Sequence, residues 1–562
     1  MQRLLFFIPG LLIATLLNVL AWPTLTFARE KSPPMRMAPA PQAETQARVI
    51  VKYRESSTLR RPQSGSTVAR PVDAPRHAQS LSGRLNLALS DGRVLGRHTQ
   101  ALRAQGIGSA ELAQRLAAQP DIEWAVVDAR RRVQSMPNDP YFGPNQTSVT
   151  PLVGQWYLRA PSTETPAAID SVGAWRLSTG SASVTVAFLD TGVRMDHPDL
   201  FGKLHQGYDF VSEIATANDG NLRDGDASDP GDGTDQDECS PGEPAWSSSW
   251  HGTQVAGLIG AATNNTLGIA GTGRDVMLLP IRVLGRCGGY DSDIIAGMRW
   301  AAGLTSDVGV STTQLVVNQR PARVLNLSLG SAGTCPASYR EVMAELQQSG
   351  VTVVVSAGND AGKAVDIPAN CPGALAVAGL RHAGTKVGYS NLGPEIAISA
   401  PAGNCVNTGI NEPCLYPLMT TTNLGDRDPG ANGYTSSELP TYGTSFSAPL
   451  VAGTVGLMLS VNPRLTPEQI RTMLQASARP FPTTGPDPEI MQCRQPGSAE
   501  QLECLCTRDT CGAGMLDAAA ALAMRAPDAG GGGSMSGLWL MGLLLATLRI
   551  RQVRRAARVN LS

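Results

Sequence analysis

The chain has 562 residues, 42% of them hydrophobic, which is enough for a sizeable core and excludes a disordered chain. Its 46 basic and 47 acidic side chains leave a net charge of −1, which argues against nucleic acid or another polyanion as partner. The length points to more than one domain plus processed segments.

Met1-Gln2-Arg3 is a short basic start, residues 4–20 are largely apolar, and Thr26-Phe27-Ala28 has small residues at the cleavage-determining positions. Residues 1–28 therefore read as a secretory signal peptide. An uncleaved membrane anchor is the competing reading, since residues 4–20 approach the shortest span that crosses a bilayer. Residues 29–136 hold a linker rich in Pro, Ala and Met (31–46) and a small domain (47–133). Within that domain residues 49–53 and 121–128 read as strands, residues 109–119 as an amphipathic helix, and residues 55–76 as polar and loose. Arg130-Arg131-Arg132 follows.

Residues 137–526 differ in character. The β-branched runs at 184–189, 324–328 and 351–355 look like strands buried on both faces. They alternate with helical stretches at 293–304, 339–348 and 445–460, which predicts an α/β fold: a parallel sheet with helices on both faces. Surface insertions are expected at the acidic loop before His251, at 402–439 and at 481–511. All 10 cysteines fall between Cys239 and Cys511, and an even number in an exported chain reads as disulfides. Cys504 and Cys506 are too close to pair easily, so each is expected to reach Cys493 or Cys511; zinc is the alternative for that cluster. Residues 527–562 combine a Gly run at 530–533, an apolar stretch at 538–548 and arginines at 549, 551, 554, 555 and 558. Distal arginines favour a cytoplasmic end for a short anchor, against a peripheral hairpin or a packed terminal helix.

Peptide hydrolysis needs a nucleophile, a base and donors for the developing oxyanion. Of six histidines, His77 and His98 lie in the Arg-rich N-terminal region, His205 and His382 in ordinary loop contexts, and His197 in a turn before Pro198. His251 instead opens His251-Gly252-Thr253-Gln254-Val255-Ala256-Gly257, where glycine lets another backbone approach and a helix runs behind. Asp190 ends the strand at 184–189, at the sheet edge where open α/β folds place ligand-handling residues. Ser445 follows Tyr442-Gly443-Thr444 and leads into a helix whose positive end favours negative charge at an attacked carbonyl. A serine in such a turn is ordinarily an N-cap, and it is the joint occurrence of the three that points to chemistry.

Phe188-Leu189-Asp190-Thr191-Gly192-Val193, the His251 block and Gly443-Thr444-Ser445-Phe446-Ser447-Ala448-Pro449 resemble the three signature blocks of the subtilisin-like serine peptidases. They stand in the family's order Asp, His, Ser, and the resemblance spans roughly residues 138–522. It implies a subtilisin-like fold preceded by a small α+β, ferredoxin-like inhibitory prodomain, and a secreted, self-processing serine endopeptidase acting through an acyl-enzyme. Ser445 would be the nucleophile, His251 the general base and acid, and Asp190 the group that orients the imidazole. Asn359, in Ser356-Ala357-Gly358-Asn359, matches the oxyanion donor; its plain reading is a strand-end turn. Ser328, Leu329 and Gly330 match the edge strand that pairs with extended substrate, and with Ala357 and Gly358 they border the pocket for the residue before the cut. Gln254 stands where the family usually has His, and Phe446-Ser447-Ala448 where it has Met-Ala-Ser, departures that bear on specificity rather than on the triad.

Structural calcium is implied by the same resemblance, with no organic cofactor. Asp139, Asp199 and Asn265 would supply side-chain oxygens and Thr263, Leu267 and Ile269 backbone carbonyls. The acidic loop at 219–237 is either solvated or a second calcium site. Removal of the prodomain would fall between Arg132 and Asn138, by self-processing or by a basic-specific protease at the arginine run. The tail resembles a Gly-rich sorting signal of exported Gram-negative proteins, which gives a secreted or cell-surface enzyme with transient membrane attachment. Partners are then protein and peptide substrates and the chain's own prodomain. Two other functions compete: a catalytically silent fold serving as a surface-binding module, and a lipase or esterase, whose G-x-S-x-G elbow would need glycine where Ser447 stands.

Overall fold

The computed structural model describes residues 46–54, 74–96, 98–128, 136–144, 152–304, 317–403 and 414–524. The expected signal peptide, the linker, the arginine run and the tail lie outside the described residues. The chain divides into two compact units, Met1–Val133 and Gln134–Ser562.

The first unit runs β1 (Ala47–Tyr53), α1 (Ala74–Leu85), β2 (Leu89–Gly96), β3 (Thr99–Ala104), α2 (Ser109–Ala117) and β4 (Ile122–Val127). Its sheet has the order β2-β3-β1-β4, with β1 antiparallel to both neighbours. A βαββαβ chain with this order is the split βαβ, ferredoxin-like arrangement. The strand period of two explains the core: β1 turns Val49, Val51 and Tyr53 inward, against Leu81 of α1 and Leu112 and Leu116 of α2. Of the stretch expected to be loose, residues 74–76 begin α1 and 55–73 lie outside the described residues.

The second unit begins with α3 (Ser171–Trp175), β5 (Thr185–Asp190), β6 (Tyr208–Asp209), α4 (Ile214–Ala217), α5 (His251–Gly260), β7 (Met277–Arg282) and α6 (Asp291–Ala301). It continues with β8 (Val324–Leu327), α7 (Ala337–Gln348), β9 (Thr352–Ser356), β10 (Leu375–Leu380), β11 (Ile396–Pro401), β12 (Thr421–Asn423) and β13 (Asn432–Tyr434). Last come α8 (Ala448–Val461), α9 (Pro467–Ser477), α10 (Arg508–Cys511) and α11 (Ala518–Ala523). Seven strands form one sheet in the order β11-β10-β9-β8-β5-β7-β6, each pairing parallel. In β5, Val186 and Phe188 enter one hydrophobic cluster and Ala187 and Leu189 the other. Both faces are covered, so the strand reads as a continuous apolar run rather than an alternation. Side chains of α5, α8 and α9 fill one face, and those of α6 and α7 the other.

The helix expected at 445–460 starts later than its sequence suggested. A short 3₁₀ turn at Thr444–Phe446 comes first, and α8 opens at Ala448 with Pro449 in its first turn. Among the described residues, the stretch Thr444–Val461 is long and apolar enough to cross a membrane, but it is 89% buried inside this unit as the central core helix.

Disulfides join Cys239–Cys287, Cys335–Cys371, Cys493–Cys504 and Cys506–Cys511, and Cys414 is also disulfide-bonded. Cys504 and Cys506 thus reach Cys493 and Cys511 respectively. The sulfurs of Cys493, Cys506 and Cys511 do lie together, but all three are engaged in these bridges, which removes zinc as the explanation. The acidic insertion is clamped rather than loose. Arg282, fully buried at the end of β7, ion-pairs with Asp209 and with Asp219 at 2.8 Å and donates to the Thr191 carbonyl at 3.2 Å. Glu238 and Asp235 pair with Arg286 and Arg427.

Candidate active site

Asp190 is the last residue of β5 and is fully buried. Its Oδ1 accepts the Thr191 N–H at 2.9 Å and lies 2.7 Å from Nδ1 of His251. Its Oδ2 is buried with no hydrogen-bond partner among the described residues. His251 opens α5, and the close approach of that helix to the end of β5 depends on Gly252. A Cβ there would stand 2.0 Å from the Gly192 carbonyl oxygen. The turn between them is braced by Thr191, whose hydroxyl accepts the Gly252 N–H at 3.1 Å and donates to buried Asp229 at 2.7 Å. Asp229 belongs to the acidic insertion, and no sequence signal tied it to this site.

The His251 side chain is 20% exposed. Burial pushes its pKa down, but the charge of Asp190, the hydrogen bond to it and the charges of Asp232 and Asp229 together outweigh this, and the net shift is upward. With Nδ1 given to Asp190, Nε2 is the ring position left for a reacting group. The hairpin β12–β13 presses on the same helix: Thr421 and Thr420 hydroxyls donate to the Thr253 and Gln254 carbonyls, each at 2.6 Å.

Ser445 sits in the 3₁₀ turn ahead of α8, 8% exposed. The ring of its neighbour Phe446 lies 5.3 Å, centroid to centroid, from the His251 imidazole. The Ser445 hydroxyl donates to the Ser328 carbonyl at 3.2 Å, and Ser328 Oγ donates back to the Ser445 carbonyl at 2.7 Å. The hydroxyl is therefore turned to Ser328 and not to His251. As a first-turn residue, Ser445 has a backbone N–H with no intrahelical acceptor.

Asn359 follows β9 and is exposed. Its Oδ1 accepts the Thr444 N–H at 2.8 Å and lies 3.2 Å from the Thr444 hydroxyl, which fixes the amide and leaves Nδ2 as the outward donor. A Cβ on Gly443 would come within 3.3 Å of that Nδ2 and 3.5 Å of Ser445 Oγ, so the donor and the hydroxyl flank one glycine. Ser328, Leu329 and Gly330 leave β8 beside this point, with Leu329 half-buried and Gly330 exposed. β8 and β9 are neighbours, so Ala357 and Gly358 emerge alongside them. Gly358 has φ +108°, and a Cβ there would stand 2.3 Å from Asp366 Oδ2, so no other residue fits. Asn359 also lines a cavity of about 720 Å³, together with Tyr389 and, from the insertion at 481–511, Ile490, Met491 and Leu502.

A second cluster gathers the residues expected to hold a metal. Asp139 accepts the Asn264 and Asn265 N–H groups at 3.0 and 3.3 Å; Asp199 accepts the Asn265 side-chain amide at 2.7 Å and the Ile269 N–H at 2.8 Å. The Leu267 N–H donates to Asn265 Oδ1 at 2.8 Å, and Thr263 Oγ1 donates to the Ala261 carbonyl. Burial pushes the Asp139 carboxyl up to about 6 and raises that of Asp199. His197 is fully buried and its Nε2 lies 2.9 Å from the Gly433 carbonyl, a core histidine.

A model of the subtilase family matches residues 181–504. The chain belongs to that family. Among its relatives is an extracellular protease of Xanthomonas campestris, 38% identical over 447 residues, which are 78% of this chain and 70% of that one. An extracellular basic protease of Dichelobacter nodosus is 30% identical over 462 residues, 77% and 70% of the two chains. A solved protease structure from Pseudoalteromonas arctica shares 36% identity with a TM-score of 0.56, covering 69% of this chain and 99% of its own. This subtilase is a secreted serine-type endopeptidase that acts on peptide and protein substrates.

Proposed function

We propose that Asp190, His251 and Ser445 are the catalytic triad of this subtilase, with Asn359 as oxyanion donor. The observation that carries the reading is the 2.7 Å contact of His251 Nδ1 with buried Asp190, on the rim where Ser445 and Asn359 also open. The serine hydroxyl rests on the Ser328 carbonyl. An extended substrate that donates its own N–H to that carbonyl releases the hydroxyl to turn toward His251 Nε2. Nε2 then takes the Oγ proton as Oγ bonds to the scissile carbonyl carbon, and the carbonyl oxygen takes the electron pair between Asn359 Nδ2 and the Ser445 N–H. The imidazolium, stabilised by Asp190, returns the proton to the departing amine as the C–N bond breaks. Water, deprotonated by the same nitrogen, releases the acyl group.

The first unit is read as the inhibitory prodomain of a zymogen, removed between Arg132 and Asn138. Residues 1–28 are read as the signal peptide, and the extracellular relatives from Xanthomonas and Dichelobacter support export; residues 527–562 are read as a sorting tail on their sequence alone. Calcium fits the Asp139–Asp199 cluster. Burial raises both carboxyls there, and the charge of Asp199 adds to the rise at Asp139, the condition a divalent cation relieves. Asp139, Asp199 and the Asn265 amide would hold it, with carbonyls of Thr263, Leu267 and Ile269. Calcium would tie the N-terminal stretch to the loop after α5 and supplies no catalytic chemistry. Ser445→Ala tests the triad reading: self-processing and casein hydrolysis should be lost together. Casein hydrolysis by that variant would overturn it.

A further inference from the structure

We propose that Asp366, with Asp360 beside it, forms the anionic floor of the pocket for the side chain preceding the cut, so that the enzyme prefers arginine or lysine there. The inference deepens the proposed function and rests on its reading of Ser328, Leu329, Gly330, Ala357 and Gly358 as the pocket's walls. Both walls carry glycine at the point where they face Asp366. A Cβ on Gly358 would stand 2.3 Å from Asp366 Oδ2, and one on Gly330 would stand 3.3 Å from Asp366 Cβ. The carboxylate therefore lies between the two segments, held by its N–H bond to the Ala357 carbonyl at 3.0 Å.

Asp366 is only 6% exposed, yet it is poorly compensated. Its Oδ1 has the Asn391 amide at a long 3.4 Å, and that same amide nitrogen donates to Asp360 Oδ2 at 3.1 Å and to the Ala364 carbonyl at 3.0 Å. Burial, then the neighbouring Asp360, push the Asp366 carboxyl up to about 6. Two other buried acids of this unit have a guanidinium: Arg282 for Asp209 and Arg223 for Asp293. Asp366 and Asp360 have no Lys, Arg or His partner among the described residues. A buried carboxylate without a counter-charge is costly, and a cation brought by the substrate relieves that cost at the moment of binding. The Arg130-Arg131-Arg132 run, just ahead of Asn138, offers the enzyme such residues within its own chain.

The test compares kcat/KM of the mature enzyme on peptide p-nitroanilides that differ only in the last residue: Arg, Lys, Phe or Glu. Rates are scaled to competent sites counted by titration with a serine-directed reagent. Arg and Lys should exceed Phe by roughly tenfold or more, with Glu the poorest. Asp366→Asn should lower the Arg/Phe ratio by roughly ten- to a hundredfold, and Asp360→Asn by less because that residue is exposed. The wild-type ranking stands whether or not either variant folds. A fully titratable wild type that prefers Phe, or an Asp366→Asn enzyme with an unchanged Arg/Phe ratio, overturns the proposal while leaving the triad reading intact. A wild type that cannot be titrated sinks both.

Discussion

Replacing Asn359 with alanine removes one of the two donors assigned to the oxyanion. The Thr444 N–H holds Oδ1 at 2.8 Å with the Thr444 hydroxyl 3.2 Å away, so Nδ2 is aimed before substrate arrives. A preorganised donor of this kind is worth about 10²–10³ in kcat, or about 2.7–4 kcal/mol. The structural cost should be small. Asn359 is exposed, and Thr444 Oγ1 keeps its contacts with Gly358, accepting the N–H at 3.1 Å and lying 3.3 Å from the carbonyl. Because the bond strengthens only as charge develops on the oxygen, kcat and kcat/KM should fall together while KM stays within about twofold. Steady-state hydrolysis of a p-nitroanilide measures all three. Asn359→Asp keeps an acceptor for Thr444 but puts a negative oxygen where the donor was, and should fall at least as far. A kcat loss under about threefold in Asn359→Ala would refute the reasoning.

The acid limb of kcat/KM should lie above the ordinary histidine value of 6.5, because His251 is raised and the base must be neutral; activity is lost as pH falls through that limb. Asp232→Asn removes a charge that favours the imidazolium and should move the limb down; an upward shift contradicts the assignment. Calcium at about a hundred times its Kd should add about 2.7 kcal/mol of stability. EDTA should therefore lower the Tm of the Ser445→Ala protein, and Asp199→Asn should abolish the difference; a Tm indifferent to EDTA removes calcium from the account. Arg282→Met strands Asp209 without its counter-charge in the core and should cost about 3–5 kcal/mol in urea unfolding. An unchanged midpoint would mean that the clamp on the acidic insertion is idle.

The strands β5, β8 and β9 were legible because a parallel strand covered on both faces must be β-branched and apolar throughout. β10 and β11 were not read as strands. Leu375–Leu380 and Ile396–Pro401 are rich in Ala, and they owe their strand state to pairing with neighbours rather than to propensity. In the first unit β2 carries Asp91, Gly92 and Arg93, which look like a turn, and only pairing with β3 makes it a strand. Asp190, His251, Ser445 and Asn359 were legible because each sits in a distinctive local block. Their supports were not. Thr444 meets Asn359 across 85 residues and Asp229 meets Thr191 across 38, and no local pattern announces a contact made by folding. Asp366 was missed for the same reason: Ala364-Val365-Asp366-Ile367-Pro368 reads as a plain turn until Gly358 is set against it.

The most direct measurement is to treat the mature enzyme with a serine-directed fluorophosphonate and locate the adduct by mass spectrometry. One equivalent of label should fall on Ser445, with labelling slowed by at least roughly a hundredfold in His251→Ala. Label on another residue, or a His251→Ala variant that reacts as fast as the parent, would mean that the imidazole does not serve this hydroxyl and that the three side chains are not one catalytic unit.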